Sequence, residues 1–322
     1  MTERSQLRRT ASTMARVTRT VAVALSTMLT ASFLIFSALA LAPGDPVAQI
    51  LGPKATEAQR EQMRATLGLD DPLLQRYWHW LTGALHGDFG TSLTYREKVS
   101  ALLEPRIATT GLLIVMASVL ILTVGLLLGA FGGSSERWRS AVNAVVGLGV
   151  AVPGFIAGSA LISIFAVRLG WFPTFGAGSG FGDRLWHLAL PAIALALGWS
   201  AYVAQMTSAA VAEESRREHV LTARGRGIAR WTVFHRHVLR NASIPVLTAS
   251  GLTVAGLIAG SVVVEPVFAI DGLGSLLVKS VSNKDYAPVI AISMIIVVVF
   301  VVVTTTIDVI QIALDPRLRK EA

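Results

Sequence analysis

The stretch Thr109–Ala130, TTGLLIVMASVLILTVGLLLGA, decides the fold, because it contains no Asp, Glu, Lys or Arg. A run of about 20 apolar residues is what a helix needs to cross a hydrocarbon core roughly 30 Å thick. With no water inside that core, every backbone N–H needs an internal partner, so the run must be helical. Working outward, five further segments read the same way: Thr20–Leu41, Ala141–Val167, Leu185–Ala212, Ala242–Val264 and Tyr286–Ile307. The whole chain agrees, with 53% hydrophobic and 15% charged residues and a mean hydropathy of +0.60 over 322 residues. That is more apolar surface than a soluble core requires. The absence of cysteine excludes disulfides, thiolate metal sites and cysteine nucleophiles.

The net charge of +8 is explained by where the cations fall. Arg4, Arg8, Arg9, Arg16 and Arg19 precede the first span, Arg137 and Arg139 lie between the second and third, and seven arginines from Arg216 to Arg240 lie between the fourth and fifth. Arg317, Arg319 and Lys320 close the chain, whereas the opposite short loops hold only Arg168, Arg184, Lys279 and Lys284. Positive charge collects on the cytoplasmic side, so both termini are expected inside and no nucleic acid is needed to explain the charge. The arginines, apolar run and Ala38-Leu39-Ala40 also have the parts of a secretory signal, but the apolar run is longer than a usual signal core. Pro153 and Pro191, well inside spans, are expected to kink them; Pro245 and Pro288 are expected in first turns. The pairs Gly125/Gly129, Gly154/Gly158 and Gly256/Gly260 are expected to let helices approach closely.

The polar stretch Pro43–Ile107 reads as a folded segment outside the membrane. Thr56 with Gln59 forms a capping box, and Gly68 ends the helix that follows. Asp71 is expected to cap a second helix with Pro72 in its first turn. Leu73, Leu74, Tyr77, Trp78, Leu81 and Leu85 give that helix an apolar face, and Tyr77, Trp78 and Trp80 suit a membrane interface. It is either a cap packed on the bundle or a dock for an external protein.

The stretch Glu213–Asn241 is the clearest functional candidate. Gly225 and Gly227 are expected to break the backbone after Ala223, and a second helix is expected to carry Ile228, Trp231, Phe234 and Val238 on one face. Such a helix fits either a groove on a partner protein or the lipid interface.

This loop resembles the Glu-Ala-Ala motif of ABC importer permeases. Leu221-Thr222-Ala223 fall on the triplet, with its Glu and first Ala absent; Gly227 falls on the motif's glycine and Arg240 on its final proline. Over nearly the whole chain the resemblance is to the B-type subunit of oligopeptide and dipeptide permeases. It rests on Ala42-Pro43-Gly44-Asp45-Pro46, Leu67-Gly68-Leu69-Asp70-Asp71-Pro72, Gly87-Asp88-Phe89-Gly90-Thr91-Ser92 and the run from Phe165 to Pro173. Further on it rests on His237–Ala242, Val264-Glu265-Pro266-Val267-Phe268, Gly272-Leu273-Gly274 and Leu314-Asp315-Pro316-Arg317.

The resemblance implies an all-α type I ABC importer permease fold in the bacterial cytoplasmic membrane, with a small helical extracytoplasmic insertion between helices 1 and 2. The expected division is a tail and first helix over 1–42, a cap over 43–107, a core over 108–312 and a tail over 313–322. It implies a homologous second permease, two cytoplasmic ATPase subunits and an external substrate-binding protein as partners, with short peptides as cargo; nickel or glutathione are alternative solutes. The loop 213–241 would be the coupling element. ATP and Mg would sit on the partner ATPases, since this chain has no Gly-x-x-x-x-Gly-Lys-Ser/Thr phosphate loop.

A membrane-embedded enzyme is the rival reading. Gly180-Phe181-Gly182-Asp183 matches the Gly-x-Gly-Asp string of intramembrane aspartyl proteases, but no span offers a second aspartate. His235 and His237 diverge on a helix, His-Glu-x-x-His is absent, and Gly178-Ser179-Gly180 lacks a strand-to-helix setting, so neither a metal nor a catalytic residue is assigned. Glu265, at the outer end of the fifth span, is a candidate for the solute pathway, for a helix anchor or for pairing with the partner subunit. Asp308 and Gln311 read as interfacial, and His187 and Gln205 carry no assigned role.

Overall fold

In a computed structural model the protein is described over residues 2–41, 47, 51–52, 55–66 and 68–314. The motif runs at Ala42–Pro46 and beyond Leu314 lie outside the described residues, as does Leu67. Among the described residues the only β pairing is one antiparallel bridge between Thr91 and Lys98. The helices are α1 (Thr2–Ala40), α2 (Glu57–Thr66), α3 (Leu73–Leu85), α4 (Val99–Ser134), α5 (Glu136–Ala151) and α6 (Gly154–Arg168). They are followed by α7 (Phe181–Ser215), α8 (Glu218–Gly225), α9 (Arg230–Val267), α10 (Leu273–Ser282) and α11 (Tyr286–Leu314).

Five of these are long and apolar enough to span a bilayer: α1, α4, α7, α9 and α11. The sixth expected span, Ala141–Val167, is the pair α5 and α6, bent by 89° where Pro153 interrupts the helix. Pro153 has no N–H to donate, and it stands as the residue before the first turn of α6. Pro191, expected to kink its span, sits buried within a helix assigned without interruption from Phe181 to Ser215. Pro245 is not in a first turn, because α9 begins at Arg230; Pro288 is. The span after the polar segment also starts earlier than expected, since α4 begins at Val99 and takes in Pro105.

Five of the six paired glycines sit at close approaches, whereas a Cβ on Gly154 would make only an ordinary contact, 3.5 Å from the Ala194 carbonyl. A Cβ on Gly129 would collide with Thr207 Cβ and lie 2.7 Å from the Ala204 carbonyl, and one on Gly125 would lie 2.9 Å from Val203 Cβ. Gly133 continues this contact against Val211, so α4 and α7 touch backbone to backbone over several turns. Gly158 faces Phe268, Gly256 faces Trp199 and Gly260 faces Leu195 at similarly short range. Around this seam Leu113, Ala117, Ile121, Leu188, Leu190, Val203, Leu257 and Phe268 form the main apolar core.

The segment between α1 and α4 packs on α1. Thr56 and Gln59 make the reciprocal capping box, with Thr56 N–H donating to Gln59 Oε1 at 3.0 Å and Gln59 N–H to Thr56 Oγ1 at 3.4 Å. Gly68 ends this stretch at φ +60°. Asp71 does not cap α3: Pro72 occupies the N-cap, and its side chain makes no capping hydrogen bond. Asp71 instead turns its carboxylate back over Gly68, where a Cβ would meet Oδ2 at 3.2 Å. The expected apolar face of α3 divides in two. Leu73, Tyr77 and Leu81, joined by Trp80 from outside that face, pack on Phe33 and Phe36 of α1, with Tyr77 Oη 2.5 Å from Ser32 Oγ, whereas Leu74, Trp78 and Leu85 stay exposed.

The α4–α7 seam gives a direct test. Gly129→Leu should lower the yield of monodisperse protein in mild detergent severalfold, since overpacking a tight contact costs about 1–3 kcal/mol or more. Gly111→Ala, where no atom lies within 4 Å, should leave it unchanged. Equal yields of the two variants would mean that the seam does not hold the bundle.

Candidate functional site

The stretch from 213 to 241 folds as a platform across one end of α7 and α9. Helix α8 ends in a Schellman cap: Gly227 N–H donates to the Arg224 carbonyl at 3.0 Å and Ile228 N–H to the Ala223 carbonyl at 3.3 Å. The residue after the cap must then take a left-handed conformation, and Gly227 has φ +77° with open space around it. The spacing from Ala223 to Gly227 is therefore the spacing of this cap. Gly225, expected to break the chain, is the last residue of α8. Ala223 and Val220 point inward and pack on Val211, Val233, Val238 and Ala242.

The platform is anchored by one carboxylate. Glu214, on the last turn of α7, is buried; its Oε1 accepts from Asn241 Nδ2 at 2.8 Å and lies 3.2 Å from His219 Nε2, and its Oε2 pairs with Arg217 Nε at 3.0 Å. These partners come from the turn after α7, from α8 and from α9, so one side chain ties all three. Sequence reading passed over Glu214 and Asn241; the visible trace was an acidic pair at a helix end and an asparagine inside the run His237–Ala242.

The predicted face of Ile228, Trp231, Phe234 and Val238 is split by the fold. Trp231 is 73% exposed and Ile228 38%, Phe234 is half-buried, and Val238 is 0% exposed in the core beneath α8. From Phe234 to Leu239 the helix opens into a wide π turn, which takes an extra residue, so positions that an α-helix would stack drift apart. This segment is no separate helix, since it runs straight into the span of α9. What remains exposed is Leu221 on α8, Ile228 after it and Trp231 at the start of α9, with the exposed Arg224, Arg226 and Arg230 between them in the chain.

At the opposite end of the bundle two more buried carboxylates make joints. Glu265 is 0% exposed; Thr110 Oγ1 donates to its Oε1 at 2.6 Å and Ser275 N–H to its Oε2 at 3.0 Å, while Leu273 N–H donates to Thr110 Oγ1 at 2.9 Å. It therefore caps the first turn of α10 and leaves no room at Gly272, where a Cβ would sit 2.5 Å from the carboxylate. Of the roles left open for Glu265, this geometry supports the helix anchor. Asp285, also buried, accepts from Ser92 Oγ at 2.5 Å and from Leu93 and Thr94 N–H at 3.1 Å each.

Elsewhere, Asp183 lies in the first turn of α7, not in the loop before it. It accepts from Ser179 N–H at 2.7 Å and sits 3.2 Å from His187 Nδ1, so it closes a local turn. Gln311 donates to Thr248 Oγ1 at 2.8 Å, linking α11 to α9, and Asp308 borders a surface cleft with Arg19. Among the described residues no three His, Cys, Asp or Glu side chains are grouped to hold a metal.

Residues 121–320 match the family described as binding-protein-dependent transport system inner membrane component, and residues 14–113 match its N-terminal companion. The chain belongs to this family. It is an ABC importer permease subunit and a multi-pass membrane protein. It is 35% identical over 295 residues to the glutathione transport system permease protein GsiC of Escherichia coli K12, covering 91% of this chain and 95% of that one. The Salmonella typhi protein of the same name is 36% identical over the same lengths. The inward-facing MetNI methionine ABC transporter has a chain that superposes with a TM-score of 0.54 at 17% identity, over 66% of this permease and 96% of that chain, which shows the shared fold.

The cap of α8 is testable in the permease directly. An L-residue forced left-handed costs about 1–2 kcal/mol, roughly 5–30-fold in local opening. Gly227→Val should therefore speed tryptic cleavage after Arg224 or Arg226 about tenfold. Gly227→Asn, which tolerates this conformation, should stay within about twofold of the parent. Indistinguishable cleavage of the two variants would remove the backbone explanation for Gly227.

Proposed function

We propose that this permease forms half of the translocation pathway of an ATP-driven importer of short peptides, and that its α8 platform seats in a cytoplasmic ATPase subunit. The observation that carries the coupling role is that Leu221 on α8, Ile228 in the turn after it and Trp231 in the first turn of α9 are all exposed, on a platform whose inner side is locked to both α7 and α9. Exposed apolar side chains interspersed with arginines on a short helical platform suit a groove on a partner protein. Because Glu214 joins α8 to the ends of two spans, a push on α8 would travel into both rather than into a loose loop.

The other partners follow from the same reading: a homologous second permease completes the pathway, two ATPases bind ATP and Mg, and an external binding protein delivers the solute. Peptide cargo is supported by the relatives named for glutathione, itself a tripeptide. The arginine distribution supports the bacterial cytoplasmic membrane with both termini and the platform inside. The segment carrying α2 and α3 would then lie outside, with Leu74, Trp78 and Leu85 on its free face.

The test uses the assembled complex in proteoliposomes with its binding protein. The double variant Leu221→Asp and Trp231→Ala should lower tripeptide uptake, and the ATP hydrolysis stimulated by loaded binding protein, about tenfold or more. It should still insert and copurify with the second permease, because both side chains lie outside the fold's core. Unchanged uptake in that variant would end the coupling assignment. Uptake of nickel but not of tripeptides by the parent complex would end the peptide assignment.

A further inference from the structure

Three polar side chains of α7, Trp199, Tyr202 and Gln205, recur every third residue and border a groove of about 490 Å³ near the middle of the bundle. The groove is walled on its other sides by Phe155 of α6 and by Gly260 and Val263 of α9. The two rings are held in place: Trp199 lies over Gly256, where a Cβ would come within 2.8 Å of it, and meets Tyr202 edge-on at 6.2 Å and 86°. Their polar edges are free. Among the described residues the Trp199 indole N–H, the Tyr202 hydroxyl and the Gln205 carboxamide make no hydrogen bond within the chain.

Such groups facing hydrocarbon would be left unsatisfied, which membrane proteins avoid. A second feature points the same way. The groove is edged by Gly154 and Phe155, directly after the non-helical break at Val152 and Pro153. Irregular backbone at membrane depth is tolerated where it is buried in protein or lines a water-filled cavity.

We infer that this face of α7 is a wetted wall of the solute pathway, on which Trp199, Tyr202 and Gln205 contact the passing peptide. The chemistry suits a peptide of variable sequence. A carboxamide both donates and accepts, matching the backbone of any peptide, and aromatic faces pack apolar side chains whatever their shape. The inference deepens the import reading and rests on it, but its first readout does not.

The chain has no cysteine, so single-cysteine variants are uniquely addressable in it. Gln205→Cys and Tyr202→Cys, with Val119→Cys on the 56% exposed outer face of α4 as control, are assembled into the full complex. Each is treated in membranes with a charged, water-soluble methanethiosulfonate, and the adduct is read as a mass shift on this chain. Cysteines at 202 and 205 should label at least tenfold faster than at 119, labelling should slow in excess tripeptide with the transport cycle running, and the adduct should reduce tripeptide uptake at least tenfold. Labelling no faster than at 119 overturns the inference, because the face is then packed against the second permease or in lipid. Fast labelling with unchanged uptake also overturns it, since the face is then wet but off the path. A parent complex that imports no tripeptide would instead sink the import reading, while the rate comparison still decides whether the face is wetted.

Discussion

Buried carboxylates govern how the helices of this permease are joined. A carboxylate withdrawn from water must keep its hydrogen bonds or impose a large desolvation cost, so each one fixes the groups around it. Glu214 gathers Arg217, His219 and Asn241 at one end of the bundle. At the other, Glu265 gathers Thr110 and the first turn of α10, and Asp285 gathers Ser92, Leu93 and Thr94. Glu265 and Asp285 connect segments 155 and 193 residues apart in the chain, and Glu214 reaches 27 residues on to Asn241. The apolar faces between them supply most of the contact area, but Leu, Val and Ile tolerate sliding in a way that a carboxylate with three partners does not.

Between those ends the bundle depends on close approach. The seam of α4 and α7 admits no side chain at Gly125, Gly129 or Gly133, and α9 meets α7 through Gly256 and Gly260. In a bilayer, contact between helices gains little from the hydrophobic effect, because lipid tails are as apolar as the side chains they replace; packing distance is what holds. The most buried span, α7, is thus fixed on two sides. Its remaining polar stripe is left free to face the groove beside the Pro153 break.

Much of this was legible in the sequence where one local rule decides the outcome. The capping box at Thr56 and Gln59, the close-packing pairs Gly125/Gly129 and Gly256/Gly260 and the chain break at Gly227 follow from spacing and residue type alone. The misreadings share a cause. Asp71 gave way to Pro72 at the N-cap, Gly225 stayed helical, Pro245 fell inside a helix, and Val238 turned into the core. At each, two local rules pointed differently or a helix ran on past its expected start, and neighbouring elements settled which outcome held.

By itself the sequence determined that the chain crosses a membrane as helices, where the apolar stretches of those helices lie, and which loops carry positive charge. These depend on hydropathy, backbone satisfaction and charge, which are sums over nearby residues. Only the tertiary structure decided that Glu214 finds Asn241, that Glu265 caps α10 and anchors it to α4, that Asp285 holds the Ser92 loop, and which side of α7 stays unpartnered. Those pairings span up to 193 residues of chain. They are fixed by which helices come to lie side by side, a property no window along the sequence contains.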